Sequence, residues 1–429
     1  MKPSPVLIPQ LFNTGFMLSI KGGLNFLRKV LVYYLHFVLR LIPRQKNKWA
    51  FGADGGFKDN PKFLYYEVLE RHPEIRATWI ASNKEEAKFL KSQGLPVLYR
   101  SSLKGMWYAL TAKVYVVDHT ISDINRYLEG GAFYVNLWHG CGIKRVRWQN
   151  KSLYVKKYHL KSEEEMRSSL VFKIKTYPFL FRGPDLCLTP SSTQLKEFFA
   201  PMMDIPEDNC IVGMYPRSRL MIEGREAAMD FIKKHESVGT ISFVNELSAF
   251  RKTYIYMPTW RNDGRDFIEQ SGVDWQKLND VMKEKDSLFI LKLHPFTKLD
   301  LDSLSHYSNI CVYPKNSDVY TVLPFIDCLI TDYSSIYTDF LTMNKEVILF
   351  IFDYDVYVKG NDELAEYDNY YFGKRVYDFD QLVETMESGE DCHVPQDQYD
   401  FLMNYFWDNN RQTLDIAEEI KKRIGMCNN

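Results

Sequence analysis

The sequence predicts an α/β protein with two Rossmann-like domains that face each other across a cleft, preceded by an amphipathic helix. Short apolar runs alternate with polar helical stretches, which is typical of parallel sheets wrapped by helices. The alternation occurs in two series, one from Trp49 and one from Arg251. The length of 429 residues also exceeds the usual size of one domain. We therefore expect an N-terminal segment at 1–48, a first domain at 49–235 and a second at 236–429.

The composition, with 45% hydrophobic and 25% charged residues, is that of a globular protein. A formal net charge of −1 argues against nucleic acid as a partner of the whole molecule. The seven cysteines are scattered without a C-x-x-C pair, which argues against a disulfide framework or a cysteine zinc site and for a reducing compartment. The first residues lack the ordered features of a secretory signal peptide.

The segment 24–42 is apolar but is interrupted by Arg28, Lys29, His36 and Arg40. It is nearly long enough to span a bilayer, yet these side chains make spanning costly. An interfacial, membrane-associating helix with a basic end fits the pattern best. A helix buried against the domain and a true membrane span are the two alternatives.

The first series predicts five strands, with helices between them at 61–71 and 84–93. The strands are expected at 49–51, 77–80, 96–99, 114–117 and 133–137. It also contains a basic and aromatic insertion at 144–182, with eleven Lys or Arg residues against three acids. This composition suits an anionic membrane surface or a polyanionic acceptor, whereas nucleic acid and a plain solvated helical face are alternatives.

The second series predicts five more strands. They are expected at 254–257, 288–293, 310–313, 328–331 and 347–350. The region 217–250 is expected to link the two series, and a last helix near 409–424 is expected to cross back to the first domain.

The DYSS segment at 332–335 lies between an apolar strand and a predicted helix. Asp332, Ser334 and Ser335 can cap that helix, with Asp339 one to two turns further in. A helix start presents free N–H groups and a positive dipole end, which suit a phosphate or diphosphate. The alternative is an ordinary N-cap between a buried strand and its helix.

The WHG segment at 138–140 ends another strand, with Lys144 shortly after it. This position places the His139 imidazole at the cleft edge, where an ordinary pKa of about 6.5 suits a general base. A structural role is the alternative for a lone histidine.

The PTWR segment at 258–261 also ends a strand, and Thr259 offers a hydroxyl there. Arg261 can clamp a phosphate in bidentate fashion, or it can form a salt bridge in an ordinary turn. A His-Pro pair ends the next strand, so His294 is expected at the same sheet edge as Arg261 and Ser334. Open α/β sheets bind their ligands at this edge.

Together these segments resemble the CDP-glycerol glycerophosphotransferase family, bacterial enzymes that build teichoic acids and related phosphate-linked polymers. The family pattern has WHG with a downstream Lys, PTWR, a strand ending in His-Pro, and DYSS, in this order. The resemblance runs over about residues 49–357, and the ordered set is far more specific than any one segment.

Three departures from the family pattern bear on the acceptor and the polyol. The segment 141–143 reads CGI where TPL is common. The segment 213–219 resembles the family's G-x-P-R-N-D but has an extra residue and lacks the Asn-Asp pair. Lys292 stands where Arg is common.

The resemblance implies a GT-B-like fold and transfer of glycerol phosphate or ribitol phosphate from a CDP-alcohol to an acceptor hydroxyl. His139 is then the candidate base, and His294 is the second candidate catalytic residue, which stabilises the leaving CMP. Lys144 and Gly140 are candidates for the acceptor side. The donor-side candidates are Thr259, Arg261, Asp332, Ser334, Ser335 and Asp339.

No cofactor is expected, although Mg²⁺ is an alternative because Asp353-Tyr354-Asp355 has the D-x-D spacing of metal-dependent nucleotide-sugar enzymes. We interpret that segment as a turn or a polyol contact. The acceptor is expected to be lipid-linked or polymeric, with the enzyme peripheral on the cytoplasmic face of the cell membrane. The rival functions are a GT-B nucleotide-sugar transferase and, outside the enzymes, a membrane-bound scaffold.

Overall fold

The structure is a computed structural model. It describes residues 20–144, 155, 157–176, 182–261, 267–293, 304–314, 317–358, 367–409 and 414–426. The predicted residue His294 lies outside the described residues, as do the start of the N-terminal segment and much of the insertion at 144–182.

The first half of the chain forms a seven-stranded sheet in the order β3-β2-β1-β4-β5-β6-β7, and every pair in it is parallel. Most of its strands are buried apolar runs, as expected for a sheet covered on both faces; the exceptions are the polar residues 45–48 and the half-buried strand 97–99. They are β1 Gln45–Phe51, β2 Arg76–Ala81, β3 Val97–Tyr99, β4 Ala112–Val117, β5 Phe133–Asn136, β6 Leu186–Thr189 and β7 Cys210–Val212.

The second half forms a six-stranded parallel sheet in the order β10-β9-β8-β11-β12-β13. Its strands are β8 Lys252–Tyr256, β9 Ser287–Leu291, β10 Ile310–Val312, β11 Cys328–Thr331, β12 Glu346–Phe350 and β13 Lys374–Val376. All ten predicted strands are present. The strands β6, β7 and β13 were missed; β13 reads Lys-Arg-Val and lacks an apolar run, whereas β6 and β7 are apolar and as short as several strands that were predicted.

Helices cover both sheets, and several start at a side-chain cap, such as Asn83 before one helix and Asp378 before another. The α-helices of the first half are Ile20–Leu39, Asp59–Arg71, Lys84–Ser92, Leu103–Thr111, Glu163–Ser168, Leu170–Thr176, Ser192–Gln194, Ala200–Met203, Arg219–Glu223 and Arg225–His235. Those of the second half are Val238–Leu247, Phe267–Gln270, Trp275–Glu284, Ile336–Leu341, Tyr354–Tyr357, Tyr367–Tyr370, Phe379–Ser388, Gln396–Trp407 and Ile416–Arg423. Short 3₁₀ helices lie between these elements at Ile121–Asp123, Glu207–Asn209, Pro216–Ser218, Val319–Thr321 and Leu323–Phe325. Leu195–Phe199 is a π-helix.

The two halves share one buried apolar cluster, which includes Trp49 of the first sheet and Ile255 of the second. The helix Gln396–Trp407 contributes to this junction, because Tyr405 O accepts a hydrogen bond of 2.7 Å from Ser191 Oγ. The link between the sheets, residues 213–251, contains the predicted boundary at 235/236. The two halves therefore pack through a common core.

The N-terminal helix Ile20–Leu39 is held to the first domain at its buried residue His36, whose Nδ1 lies 2.5 Å from Glu129 Oε1. Lys29 Nζ donates to Lys175 O of the insertion at 2.6 Å. The large apolar side chains that this helix and the two residues after it leave exposed are Leu24, Leu27, Leu31, Tyr34, Phe37, Val38 and Leu41. Within the described part of the chain, no helix combines the length and the apolar character needed to cross a membrane.

The C-terminal helix Ile416–Arg423 packs on the first domain, as predicted for the last helix. Lys421 Nζ lies 2.7 Å from Glu74 Oε1, and Arg423 Nη1 donates to Asp208 O at 2.7 Å. Lys46 Nζ donates to Gly425 O at 2.7 Å. The chain thus crosses back from the second sheet to the first.

Candidate functional site

Three of the motif-bearing strands are neighbours in the second sheet, in the order β9-β8-β11. Met257 N donates to Ile330 O at 2.9 Å, and Lys292 N donates to Tyr256 O at 3.0 Å. Because the strands are parallel, the PTWR and DYSS segments leave the same sheet edge, as predicted, whereas the His-Pro pair lies outside the described residues. Of the stretch that leads from β9 to the His-Pro pair, the structure describes only Lys292 and Leu293.

The WHG loop follows β5 in the first sheet, and hydrogen bonds hold its backbone in place. Asn60 Nδ2 donates to Trp138 O at 2.8 Å, and Tyr215 Oη donates to Gly140 O at 2.8 Å. Trp138 has a positive φ of 55°, a conformation that a bulky side chain adopts only when its surroundings hold it there. The loop that carries His139 is therefore preorganised.

The His139 ring is half-buried, and its Nδ1 lies 3.1 Å from Asp118 O. Because a carbonyl oxygen can only accept, this contact assigns the proton to Nδ1 and leaves the lone pair on Nε2. Burial lowers the pKa of His139 to about 4, although the nearby Asp59 carboxylate opposes the shift. The imidazole is thus neutral at pH 7 and carries a free lone pair, which is the form that a general base requires.

Gly140 brings the first domain into contact with the DYSS segment of the second. Its φ is 153°, and a Cβ atom at this position would lie 2.9 Å from Ser335 Oγ and 3.2 Å from Ser335 Cβ. Only a glycine therefore permits this close approach. The candidate base and the predicted phosphate site consequently face each other across the cleft.

The DYSS segment precedes the helix Ile336–Leu341, but its capping differs in part from the prediction. Ser335 is the N-cap residue and makes no side-chain cap hydrogen bond among the described residues, while Ser334 Oγ accepts a long bond of 3.5 Å from Ile336 N. The Asp332 carboxylate turns back toward the PTWR loop, where Thr259 N donates to its Oδ1 at 2.8 Å. Both serine hydroxyls consequently lie half-buried at the helix start.

Arg261 is buried and makes the bidentate contact predicted for it, but with a carboxylate. Its Nε lies 2.8 Å and its Nη2 3.0 Å from the two oxygens of Asp353, and its Nη1 lies 2.9 Å from Asp332 Oδ2. The two carboxylates together raise the pKa of Arg261 above its ordinary value, despite the opposing effect of burial. The salt-bridge alternative therefore describes this geometry, and phosphate binding by Arg261 stays a prediction.

The ion pair with Arg261 also occupies both carboxylate oxygens of Asp353, the first aspartate of the D-x-D segment. Both oxygens of Asp353 face Arg261, and Oδ1 also accepts from Tyr333 Oη at 2.9 Å. Among the described residues, two groups of His and acidic side chains are close enough to share a metal ion, and neither includes a candidate site residue. Asp353 directly precedes the helix Tyr354–Tyr357, which contains Asp355, so the segment is the start of a short helix; a polyol contact stays a prediction.

Lys144 and Arg261 approach the face of the same ring, that of Tyr357. Lys144 Nζ lies 5.8 Å and Arg261 Cζ 4.4 Å from the ring centroid. Lys144 follows the WHG loop of the first domain, so its cation reaches the second domain beside the PTWR and DYSS segments. The structure thus brings Lys144, predicted for the acceptor, close to the residues predicted for the donor.

Arg217 is a central residue that the sequence reasoning did not single out. It is fully buried, and its guanidinium lies 2.6 Å from Asp59 Oδ1 and 2.7 Å from Asp339 Oδ2. Ser218 Oγ also donates to Asp339, at 3.0 Å. The feature of the sequence that could have identified Arg217 is its place as the arginine of the G-x-P-R-like segment at 213–219.

This cluster changes the interpretation of Asp339. The side chain is fully buried, and its two oxygens bond to Arg217 and Ser218 at the junction of the two domains. The geometry therefore gives Asp339 a role in holding the domains together. Contact with the ribose of a donor stays a prediction that this conformation does not display.

The cleft thus contains a neutral imidazole with a free nitrogen, a facing helix start with two serines, and cations from both domains. Such a set can deprotonate a hydroxyl and stabilise negative charge on a phosphate group. This chemistry is that of phosphoryl-group transfer to an alcohol.

Comparison with known proteins identifies relatives of this chain. A 400-residue alignment with a teichoic acid poly(ribitol-phosphate) polymerase of Bacillus spizizenii is 24% identical and covers 90% of this chain and 58% of that protein. A teichoic acid glycerol-phosphate transferase of Staphylococcus aureus is 23% identical, with coverage of 79% and 82%. The chain spans 37% to 58% of the length of the first three polymerases matched.

Among solved structures, the wall teichoic acid polymerase TagF superposes with a TM-score of 0.66 at 20% identity, covering 94% of this chain and 98% of that one. This similarity shows that the two proteins share the fold. The sequence model of the CDP-glycerol:poly(glycerophosphate) glycerophosphotransferase family matches residues 33–410. The chain therefore belongs to the CDP-glycerol:poly(glycerophosphate) glycerophosphotransferase family.

Proposed function

We propose that the protein transfers a polyol-phosphate unit, with glycerol phosphate as the first candidate, from a CDP-alcohol to an acceptor hydroxyl and releases CMP. The product belongs to a teichoic-acid-like or capsular polymer. The observation that carries the proposal is the contact of Gly140, beside the neutral His139, with Ser335 of the facing helix start. Membership of the family supports it.

In the proposed reaction, the acceptor hydroxyl oxygen forms a bond to the phosphorus of the polyol phosphate. Nε2 of His139 takes the hydroxyl proton, because Nδ1 is committed to Asp118 O. The bond from phosphorus to the oxygen of CMP breaks, and CMP leaves with the electron pair. The WHG loop needs no rearrangement to present Nε2, which is the benefit of preorganisation.

The leaving CMP gains negative charge, so fixed donors and cations at the second sheet edge stabilise it. We assign this task to the hydroxyls of Ser334 and Ser335, the N–H groups of the helix start, and His294, which follows β9 in the sequence. Thr259 Oγ1 is buried and has no hydrogen-bond partner among the described residues, so a donor oxygen would satisfy it. Arg261 and Asp332 shape this pocket through their ion pair and supply positive charge beside it.

Lys144, beside Gly140, is proposed to attract a phosphate of the acceptor chain. Its position over Tyr357 places the ammonium where the two domains meet. No step of this mechanism requires a metal ion, since cations and helix N–H groups supply the positive charge. Whether CMP release depends on Mg²⁺ is a separate question that has to be measured.

We propose a lipid-linked or polymeric acceptor and a peripheral location at the cytoplasmic face of the cell membrane. The exposed apolar side of the helix Ile20–Leu39 supports this location. The contact of Lys29 with Lys175 O joins the helix to the basic insertion, so both can face one anionic surface.

Ribitol phosphate is the second candidate for the transferred unit. The relatives include polymerases named for ribitol phosphate and others named for glycerol phosphate, at similar identities of 24% and 23%. The two polyols differ by two hydroxylated carbons, which only a donor comparison can resolve.

The deciding experiment measures CMP release from CDP-glycerol and from CDP-ribitol, with an oligomeric or lipid-linked polyol-phosphate acceptor. We expect release with one donor, and we expect His139→Ala and His294→Ala to abolish it. His393→Ala, at an exposed position, serves as the control and should keep full activity. Absence of release from both donors, together with turnover of a nucleotide-sugar, would favour the rival sugar transferase, and no turnover at all would favour the scaffold.

A further inference from the structure

A buried glutamine binds the backbone just after the WHG loop, and the mechanism above does not use it. Gln194 is fully buried. Its Oε1 accepts a hydrogen bond of 2.7 Å from Gly142 N, and its Nε2 donates to Gly142 O at 3.2 Å. The two bonds together fix the orientation of the amide, because the reverse orientation would place donor against donor. Gln194 thus binds both polar groups of Gly142, as a neighbouring strand would.

This contact is the third in a series of side-chain donors that bind alternate carbonyl groups, those of residues 138, 140 and 142. The donors are Asn60 Nδ2, Tyr215 Oη and Gln194 Nε2, in that order. His139 lies between the first two contacts, and Lys144 follows the third. The backbone that carries the candidate base and the candidate acceptor cation is therefore held at three points.

Gly142 fits this arrangement, and a larger residue would not. It is the middle residue of the segment 141–143, which reads CGI where TPL is common in the family. A proline has no N–H group to donate to Gln194 Oε1. A Cβ atom at Gly142 would also lie 2.0 Å from Cδ1 of the Phe198 ring. In this chain, hydrogen bonds to a glutamine therefore hold the segment where the family pattern has the rigid ring of proline.

The second half of the chain fixes the position of Gln194. Its backbone N donates to Ser191 Oγ at 3.0 Å. That hydroxyl donates in turn to Tyr405 O of the helix Gln396–Trp407, at 2.7 Å. The glutamine is thus attached to a helix of the second half, so the placement of the WHG loop depends on the packing of the two halves.

We propose that Gln194 is a positioning residue of the transfer reaction, whose two hydrogen bonds to Gly142 hold His139 and Lys144 in place for the acceptor. A misplacement of about 1 Å can cost a reaction about 100-fold in rate, so a buried contact this close to the base bears on turnover. This role rests on the proposed function. The alternative is that Gln194 only satisfies two buried backbone groups and contributes to stability.

The first test is the tautomer of His139, which can be measured without turnover. Nitrogen-15 NMR of the full chain with labelled histidine identifies this ring, because its signals are absent in His139→Ala. We expect the unaltered protein to show only the form with the proton on Nδ1, since Nδ1 contacts Asp118 O. Gln194→Met has a similar volume but cannot make the two hydrogen bonds. It should give a mixture of both tautomers, because the ring no longer stays on that carbonyl.

The second test is CMP release by the same protein and its variants. Gln194→Met should lower kcat about 10- to 100-fold and leave the KM for the CDP-alcohol nearly unchanged, because the donor-side candidates lie in the second domain. Gln194→Glu keeps an acceptor for Gly142 N, but its carboxylate repels Gly142 O. Burial raises the pKa of such a carboxyl group, and its protonated form can make both bonds again. The kcat of this variant should therefore recover at about pH 5 compared with about pH 8, and this recovery decides the question if Gln194→Met does not fold.

Asn279→Leu is the matched control for the loss of a buried amide. Asn279 is 2% exposed, and its Oδ1 accepts from Asn309 N at 3.1 Å. Asn309 precedes β10, at the sheet edge opposite the motifs, so this variant should lose stability but keep its kcat and the His139 tautomer.

Two results would overturn the proposal. One is a single His139 tautomer in Gln194→Met, and the other is a kcat that falls no further in Gln194→Met than in Asn279→Leu. Absence of CMP release by the unaltered protein would refute the proposed function instead. The tautomer would then still decide whether Gln194 holds His139 in place.

Discussion

At the scale of single residues, His139 illustrates how its surroundings set its chemistry. The Asp118 carbonyl selects the tautomer, and burial lowers the pKa to about 4, well below the ordinary value of about 6.5. The ring is therefore a weaker base than a free histidine, but it is unprotonated throughout the physiological range. In the proposed mechanism, preorganisation and the facing helix start compensate for the lower basicity.

This shift predicts the pH dependence of catalysis. The kcat/KM for CMP release should stay flat from about pH 8 down to about pH 5 and fall only as the pH approaches the His139 pKa of about 4. The same shift reduces stability as the pH falls from about 6.5 to about 4, because the unfolded chain binds the proton first. A pH–rate profile tests this expectation, and an acid limb centred near pH 6.5 would contradict it.

Gly140 carries a second residue-scale prediction. In Gly140→Ala the new Cβ would lie 2.9 Å from Ser335 Oγ in a backbone conformation that disfavours side chains. We expect CMP release to fall about 100-fold, because the base and the helix start can no longer approach. Gly94→Ala is the control, since Gly94 also has a positive φ but no neighbour within 4 Å of its added Cβ. That variant should lose about 1 kcal/mol of stability and keep its activity. Equal activities of the two variants would refute the close-contact argument.

Arg217 is the residue whose removal should be most costly. Arg217→Met leaves the carboxylates of Asp59 and Asp339 without their buried partner, which should cost about 3–5 kcal/mol of unfolding free energy. Urea unfolding measures this loss. Arg219→Met is the control, because the side chains of the ion pair between Arg219 and Glu223 are 37% and 38% exposed and the pair should contribute less than about 1 kcal/mol. Similar losses in the two variants would show that burial does not set the strength of these pairs.

At the scale of secondary-structure elements, the helix Ile20–Leu39 has two different sides. His36 faces Glu129 in the interior, whereas Leu27 and Leu31 are 63% and 66% exposed on the outer side. We expect Leu27→Glu with Leu31→Glu to reduce binding to phosphatidylglycerol vesicles about tenfold or more. The glutamates oppose both apolar insertion and attraction to an anionic surface.

Vesicle cosedimentation measures this effect against a control variant. Phe89→Glu introduces the same charge at a side chain that is 57% exposed on another helix of the first domain. It should leave vesicle binding unchanged. Both variants should keep their CMP release with a water-soluble acceptor, because neither position touches the cleft. Undiminished binding of the double variant would disprove the membrane role of this helix.

At the scale of the whole molecule, we expect the two sheets to unfold as one unit, because they share one buried core. Trp407 is fully buried, its indole donates to Thr338 O at 3.1 Å, and its ring packs against Tyr215 of the link. We expect Trp407→Ala to cost about 3–5 kcal/mol. Tryptophan fluorescence and far-UV circular dichroism should still report one coincident transition. Two separate transitions would indicate that the domains are independent.

Much of the fold could be predicted from the sequence because parallel strands are continuous apolar runs. All ten predicted strands are present, and the segments at the ends of β8, β9 and β11 share one edge. The last helix also crosses back to the first domain. The strands β6, β7 and β13 were missed, and length alone does not explain this, because β3 and β10 are also three residues long and were predicted; β13 in addition lacks an apolar run.

The site could be predicted in part. The motifs located His139, Gly140, Ser335 and Arg261, but the partners of their side chains come from distant parts of the chain. Arg261 meets a carboxylate 92 residues away, and Arg217 meets one 122 residues away. Spacing along the chain does not report such pairs.

The sequence by itself therefore determined the two-sheet α/β architecture, the family and the strand ends at which the chemistry is located, because local periodicity and ordered motifs encode them. Only the tertiary structure decided the tautomer and pKa of His139, the contact of Gly140 with Ser335, and the burial of Arg217 between two carboxylates. Each of these depends on the dielectric surroundings and on packing between residues far apart in the chain, which arise when the domains come together.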